Sequence, residues 1–359
     1  MPWLCVLGLI WPQQARSQTS PRPAPPSARA AALARRLDAA ACAPCHQAIY
    51  DAWRSSGHAV ALVNSPFLAS FRREPQAWCS ECHGPLIAQR AALLATTERD
   101  LLEELRAQLE PEPLTAEGVN CAACHQRDGV LLAAQEPSAA ALRAHPIVAE
   151  PKLHSADFCG SCHQVNWPTS RSPLRLGTLA MQDTLGEFVR AGAPGERCQS
   201  CHMAQGTHRF AGGRSRELVQ RTVAVRVWRP APRRVAVELV ARGAGHSVPT
   251  GDPFRRFTVR ICADPRCSEP LATAVFGRRF GGQGGQVYLV EDTSVPPPSG
   301  DAPLPAARRQ LSLELPAEAG ARLWFKLSYR YVAPSTESDL SETDVEAILR
   351  EGEILQRAP

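Results

Sequence analysis

The stretch Cys42-Ala43-Pro44-Cys45-His46 sets the pattern of this sequence: two cysteines three positions apart, followed at once by a histidine. The pattern occurs five times, and its other copies are Cys79–His83, Cys121–His125, Cys159–His163 and Cys198–His202. From the Cys and His content of 359 residues, only about 0.01 accidental copies are expected. The copies therefore indicate one chemistry that the chain repeats.

This spacing has a physical reason in haem attachment. Two such thiols reach the two vinyl groups of one haem, and the adjacent histidine lies under the ring and ligates the iron. Zinc binding gives no reason for a histidine after every second cysteine, and a thioredoxin-like pair occurs once, beside a βαβ unit. The sequence therefore predicts five covalently attached c-type haems. The predicted thioether cysteines are Cys42, Cys45, Cys79, Cys82, Cys121, Cys124, Cys159, Cys162, Cys198 and Cys201. The predicted proximal iron ligands are His46, His83, His125, His163 and His202.

The second axial ligand separates an electron carrier from an enzyme. Five of the ten histidines lie in the motifs, so the number of remaining histidines equals the number of predicted haems. These remaining histidines are candidate distal ligands: His58, His145, His154, His208 and His246. Met203 directly follows a proximal histidine, so methionine ligation is disfavoured. If His145 or His154 is not a ligand, one haem has an open axial position.

Composition limits the classes of protein to which the chain can belong. The chain is 44% hydrophobic and 21% charged, as globular proteins are, and its length suits about two domains. The formal net charge of +5 is too weak to indicate nucleic-acid binding, and haem propionates would offset it. Of the 13 cysteines, ten lie in motifs, Cys5 lies in the apolar N-terminus, and Cys262 and Cys267 flank a four-residue loop. That last pair is a candidate hairpin disulfide, with two free thiols as the alternative.

The N-terminus is typical of an exported protein. Residues 1–17 form an apolar run with small residues after it, which predicts a signal peptide; a buried apolar N-terminus is the alternative. Residues 18–37 are rich in Pro and Ala and are interpreted as a leader. No later stretch approaches the length of a membrane-spanning helix. We expect a periplasmic location, or one outside the cell or at its surface.

The rest of the chain has two parts with different residue patterns, which together predict an α+β fold. Residues 38–215 are predicted to form a helix-poor, loop-rich pentahaem domain, with an amphipathic helix at Leu101, Leu105 and Leu109. Residues 216–335 alternate apolar and polar residues, which predicts a small antiparallel β-sandwich. In the C-terminal segment, residues 336–359, a capping pattern at Ser341–Asp344 predicts a helix ended by Gly352.

Several local stretches resemble multihaem cytochromes c of the cytochrome c-554 type, over roughly residues 38–251. The stretches are Ile49-Tyr50-Asp51-Ala52-Trp53 and Ser56-Gly57-His58-Ala59 after the first motif, Glu117-Gly118-Val119-Asn120 before the third, Phe158 before the fourth, Met203 and His208 after the fifth, and Gly245-His246-Ser247-Val248-Pro249-Thr250-Gly251. The resemblance implies that His58, His208 and His246 are distal ligands. It also implies a carrier between an oxidase and downstream acceptors, although the typical member has four haems and lacks the β-domain.

The sequence favours an exported electron carrier with mostly bis-histidine haems and no catalytic residue of its own. The alternative is an oxidoreductase of a small nitrogen or sulfur compound with one open-coordinate haem. A third hypothesis is a subunit that assembles with its own copies. Expected partners are redox proteins, either other cytochromes or a quinol-linked or outer-membrane complex, with no nucleic acid.

Overall fold

The computed structural model describes residues 36–90, 117–171, 174–192, 195–283, 286–297, 307–331 and 346–354. The predicted signal peptide, nearly all of the leader and the predicted helix at 101–109 lie outside these residues. The described chain has an α+β fold, as predicted, with short helices and antiparallel sheets. No helix in the described part is long and apolar enough to cross a membrane.

The N-terminal part of the described chain contains mostly short α-helices, nine of which lie wholly within the described residues. Most of them begin at a side chain that caps the first turn: Asn120, for example, accepts a hydrogen bond from the Ala123 N–H, and Ser155 accepts one from the Phe158 N–H. The helices are α1 Ala43–Arg54, α2 Ser65–Arg73, α3 Ser80–His83, α4 Cys121–His125, α5 Ala139–Ala144, α6 Ala156–His163, α7 Thr184–Ala191, α8 Cys198–His202 and α9 Arg216–Thr222.

Two small sheets lie between these helices. The first is three-stranded, in the order β1-β2-β3, and the second is an antiparallel hairpin of β4 and β5. Their strands are β1 Gln126–Arg127, β2 Val130–Ala133, β3 Ile147–Ala149, β4 Gln164–Arg171 and β5 Leu174–Asp183.

The C-terminal part forms two antiparallel sheets around one core. One sheet has the strand order β10-β9-β8-β12-β13 and the other has the order β11-β7-β6. Val237 and Leu239 on one sheet and Val259 and Ile261 on the other are all fully buried in a single hydrophobic cluster. The strands are β6 Val223–Ala231, β7 Arg234–Ala241, β8 Arg256–Cys262, β9 Pro270–Gln283, β10 Gln286–Asp292, β11 Ala307–Glu314, β12 Trp324–Arg330 and β13 Glu346–Glu353. The sulfurs of Cys262 and Cys267 are bonded across the loop after β8, with Cα atoms 5.2 Å apart.

The predicted C-terminal helix is wrong where the structure describes it. Residues Glu346–Glu353 form β13, which pairs antiparallel with β12 and extends the sheet beyond the predicted boundary at residue 335. An isolated helix of two turns is marginal in water, whereas the open edge of β12 offers a row of backbone hydrogen bonds. Glu346 also forms ion pairs with Arg260 and Arg330 from the same sheet. Tertiary pairing therefore outweighs the local helical pattern.

The sandwich core gives a direct test of packing. Leu239 is fully buried in β7, whereas Leu289 in the edge strand β10 is 42% exposed. We expect Leu239→Ala to lower the free energy of unfolding by about 3 kcal/mol, because it removes buried methyl groups and leaves a cavity. Leu289→Ala should cost at most about 0.5 kcal/mol. Denaturant titration followed by far-UV circular dichroism measures both, and equal costs would contradict this core.

Candidate haem-binding sites

Each Cys-x-x-Cys-His motif lies on a short helical turn. The third and fifth motifs are the whole of α4 and α8, and the fourth occupies the end of α6. Residues three apart lie on one face of a helix, so both cysteines of a motif point to the same side. Four of these turns end at the motif histidine, and in α1 the backbone of His46 is non-helical (φ −121°, ψ 39°). All ten motif cysteines are free thiols and are at least partly exposed.

Four motif histidines face a second histidine across a gap that fits one iron. Two metal–nitrogen bonds of about 2 Å each, with each ring centre roughly 1 Å beyond its nitrogen, give about 6 Å between imidazole centres. The observed distances between ring centroids are 6.1 Å or 6.2 Å in all four pairs. The pairs are His46–His145, His163–His58, His125–His208 and His202–His246.

Backbone carbonyl groups orient several of these rings. The Nδ1–H of His125 donates to the Leu132 carbonyl at 2.9 Å, and that of His202 donates to the Ala211 carbonyl at 2.5 Å. The distal His246 donates to the Ser247 carbonyl at 2.9 Å. A carbonyl oxygen can only accept, so Nδ1 carries the proton and Nε2 is left as the free ligand atom.

Burial also keeps the rings in the neutral form that metal ligation requires. It lowers the pKa of His58, His163 and His246 to about 4, from an ordinary value of 6.5. In the unfolded chain these three histidines become protonated near pH 6.5, whereas in the folded chain they stay neutral down to about pH 4. Acidification through this range therefore lowers the free energy of unfolding.

The segment Glu117–Asn120 holds the candidate distal ligand His58 in place. The Val119 N–H donates to the His58 carbonyl at 2.9 Å, and a Cβ on Gly118 would lie 2.4 Å from the same oxygen. Only glycine allows this close approach. The buried Glu117 carboxylate accepts from the Ala39 N–H at 3.1 Å and from Asn120 at 2.6 Å, which ties the first motif to the third.

The second motif differs from the other four. None of the other nine histidines, all within the described residues, pairs with His83. The ring of Phe67 stacks on His83 at 4.3 Å, a direct contact without room for a metal between them. The candidate ligand His154, at the end of a 3-10 turn, forms no ring pair with any motif histidine. After residue 90, the segments outside the described residues contain no His, Met or Lys.

Several buried donors in the described part of the chain lack a hydrogen-bond partner, and one of them, Trp78, directly precedes the second motif. Among the described residues, Trp78 Nε1, Trp167 Nε1, Arg90 Nε and Arg255 Nε are buried without a hydrogen-bond partner. Such donors are rare in folded proteins, and haem propionates would satisfy them as charged acceptors. No group of three or more His, Cys, Asp or Glu within the described part is arranged to hold a bare metal ion. The residues present therefore fit haem better than zinc.

Thiols of different motifs lie close enough to interact, which brings the attachment sites together. Three side-chain contacts join motifs one and three, two and four, and four and five, and the pairs are Cys42–Cys121, Cys82–Cys162 and Cys159–Cys198. Cys124 of the third motif also lies close enough to Cys162 of the fourth to interact electrostatically. The sites therefore run from the first through the third to the fourth, which neighbours both the second and the fifth.

Comparison with solved structures shows that the chain has the fold of a multihaem cytochrome c. The similar structure is described as the "crystal structure of a penta-heme cytochrome c552 from Thermochromatium tepidum", with a TM-score of 0.62 and 23% sequence identity. The match covers 89% of this chain and 99% of that chain. No family model matches the chain, and no curated protein does either. The resemblance to the c-554 type stays a prediction.

Proposed function

We propose that this protein is an exported pentahaem c-type cytochrome that transfers electrons between redox partner proteins. The observation that carries the proposal is the proximity of cysteines from different motifs, which brings all five attachment sites together. Each c-type haem supplies one-electron redox chemistry when bound. The chain supplies ten thiols for attachment and a pair of facing imidazoles at four of the sites. It also holds the sites at short distances from each other.

The four histidine pairs support a carrier more than an enzyme. Facing imidazoles fill both axial positions, so neither is left for a substrate, and bis-histidine ligation favours lower potentials than Met/His ligation. The Cys262–Cys267 disulfide is consistent with export, because disulfides persist in oxidising compartments. The partners we propose are other cytochromes or a membrane quinol-linked or outer-membrane complex.

Haem counting and EPR spectroscopy test this proposal on the purified, oxidised protein. We expect five haems per chain by pyridine haemochrome, and low-spin ferric signals from the four sites with facing histidines. The site at His83 is expected to give a separate signal. Fewer than five haems, or high-spin signals from most of them, would contradict a pentahaem carrier.

A second candidate function is supported by His83 alone. Because no imidazole faces it, this site is the one place where a small nitrogen or sulfur compound could bind to iron. The Asp252 carboxylate acts electrostatically on His83, so a charged group lies near the site. On this basis the chain would be a multihaem oxidoreductase in which the other four sites deliver or remove electrons.

Titration with exogenous ligands separates the two functions. If His83 serves an open site, then cyanide, nitrite or hydroxylamine should change the spectrum of one haem and leave the other four unchanged. A carrier in which His154 ligates the iron at His83 expects no change at any of the five. Ligand-induced changes at several haems would contradict the four histidine pairs instead.

A further inference from the structure

Helix α7, Thr184–Ala191, lies between two of the proposed haem sites. On one side Leu185 packs against Gly160 inside the fourth motif, where a Cβ would lie 2.4 Å from the leucine Cδ2. On the other side Phe188 packs against Gly245, the first residue of the loop that carries His246. We call residues 245–251 the His246 loop. Through these contacts α7 sets the spacing between the fourth motif and the distal ligand of the fifth.

A buried carboxylate on α7 holds this loop. Glu187 is only 4% exposed, and its Oε2 accepts from the Ser247 N–H at 3.2 Å and from the Thr250 hydroxyl at 2.6 Å. The Thr250 hydroxyl also lies 2.9 Å from the hydroxyl of Thr184, at the start of α7. Burying a carboxylate is costly unless it is hydrogen-bonded, so these contacts explain how the fold tolerates Glu187.

The residue that Glu187 fixes is the one that orients His246. The N–H of Ser247 donates to Glu187, and the carbonyl of the same residue accepts from His246 Nδ1 at 2.9 Å. The ring of His246 lies within 12° of parallel to His202, whereas the other three histidine pairs deviate by 28° to 44°. The best aligned pair is therefore the one whose distal imidazole donates to a residue that a buried carboxylate binds directly.

We propose that Glu187 is a positioning residue that, through Ser247 and Thr250, holds the His246 imidazole parallel to His202 across the fifth haem site. This inference rests on the proposed function, since it assumes that the His202–His246 pair ligates iron. Hydrogen-bonded groups behind a metal ligand fix its orientation, and their removal commonly weakens binding 10- to 100-fold. Glu187 does not contact the ligand directly: it binds the backbone of Ser247, which in turn binds His246.

EPR spectroscopy of the full-length, haem-loaded protein tests the inference, because the g values of a low-spin ferric haem depend on the angle between its axial imidazole planes. We expect Glu187→Ala to shift or broaden one low-spin signal, about one fifth of the total haem, and to leave the others unchanged. Glu187→Gln should keep the wild-type signal, because its amide oxygen still accepts from the Ser247 N–H. Thr250→Val removes one of the two donors and should shift the same signal less.

Glu238→Ala is the matched control. Glu238 is also a buried glutamate, 7% exposed, but it lies in β7 and pairs with Arg226 and Arg308. Its replacement should lower stability without changing any EPR signal. A wild-type spectrum for Glu187→Ala, or for Thr250→Val if the alanine variant does not fold, would overturn the inference. A wild-type protein without low-spin signals would contradict the proposed function instead, before any variant is compared.

Discussion

Replacing Cys121 and Cys124 with serine is expected to separate the first haem site from the other four. The third motif is the link between them, since Cys121 contacts Cys42 of the first motif and Cys124 lies near Cys162 of the fourth. Without thioethers the third haem should be lost, and the haem content should fall from five to four. Electron tunnelling weakens steeply with distance, so exchange between the first haem and the rest should slow by orders of magnitude.

Replacing Cys198 and Cys201 with serine is the matched control. It also removes one haem, but the fifth site neighbours the fourth and lies at the end of its branch. The path through the first, third and fourth sites should stay intact. Flash photoreduction, followed by the redistribution of electrons among the haems, measures both rates. If the two four-haem proteins equilibrate equally fast, the site order derived from the cysteine contacts is wrong.

The second large effect is expected from His145→Ala. The His145 ring faces His46 at 6.2 Å, so its removal should leave the first site with a single axial imidazole. A high-spin ferric signal worth about one fifth of the total haem should appear in place of one low-spin signal, and that haem should then bind cyanide. The measurement is EPR spectroscopy with and without cyanide, on a preparation of the variant that contains as much haem per chain as the wild type.

His154→Ala provides the comparison, because both histidines are equal candidates for distal ligation when only the sequence is considered. His154 pairs with no motif histidine, so its loss should leave all signals unchanged. A high-spin signal in His154→Ala would show that this residue ligates iron, and His83 would be the motif histidine left to receive it. In that case the oxidoreductase candidate would lose the site on which it depends.

The five motifs could be found from the sequence because their chemistry is local. Cys198-Gln199-Ser200-Cys201-His202 holds two attachment points and one ligand within a single helical turn, and no distant residue is needed to recognise it. Period-2 alternation likewise predicted strands such as β7 and β8. The helical capping pattern near the C-terminus predicted a helix that the structure lacks at Glu346–Glu353, where pairing with β12 forms a strand instead.

Distal ligation could not be read from the sequence in the same way. The chain contains as many spare histidines as motifs, and that equality suggested one partner for each. Only the fold shows that His145 faces His46 and that neither His83 nor His154 has a histidine partner. The two histidines of a pair lie 83 to 105 positions apart in the sequence in three of the four pairs, and 44 positions apart in the fourth. The distance between two histidines along the sequence does not indicate whether they face each other in the fold.

The same reason applies to Glu187, whose importance no motif indicated. Its surroundings on α7 look like those of an ordinary amphipathic helix, and it became a candidate only when Ser247 and Thr250 were found against it. The sequence by itself determined how many haem-attachment motifs the chain contains and where they lie, since each motif is five consecutive residues. Tertiary structure alone decided which imidazoles face each other, which site lacks a partner and in what order the sites lie, because those properties depend on distances between segments far apart in the chain.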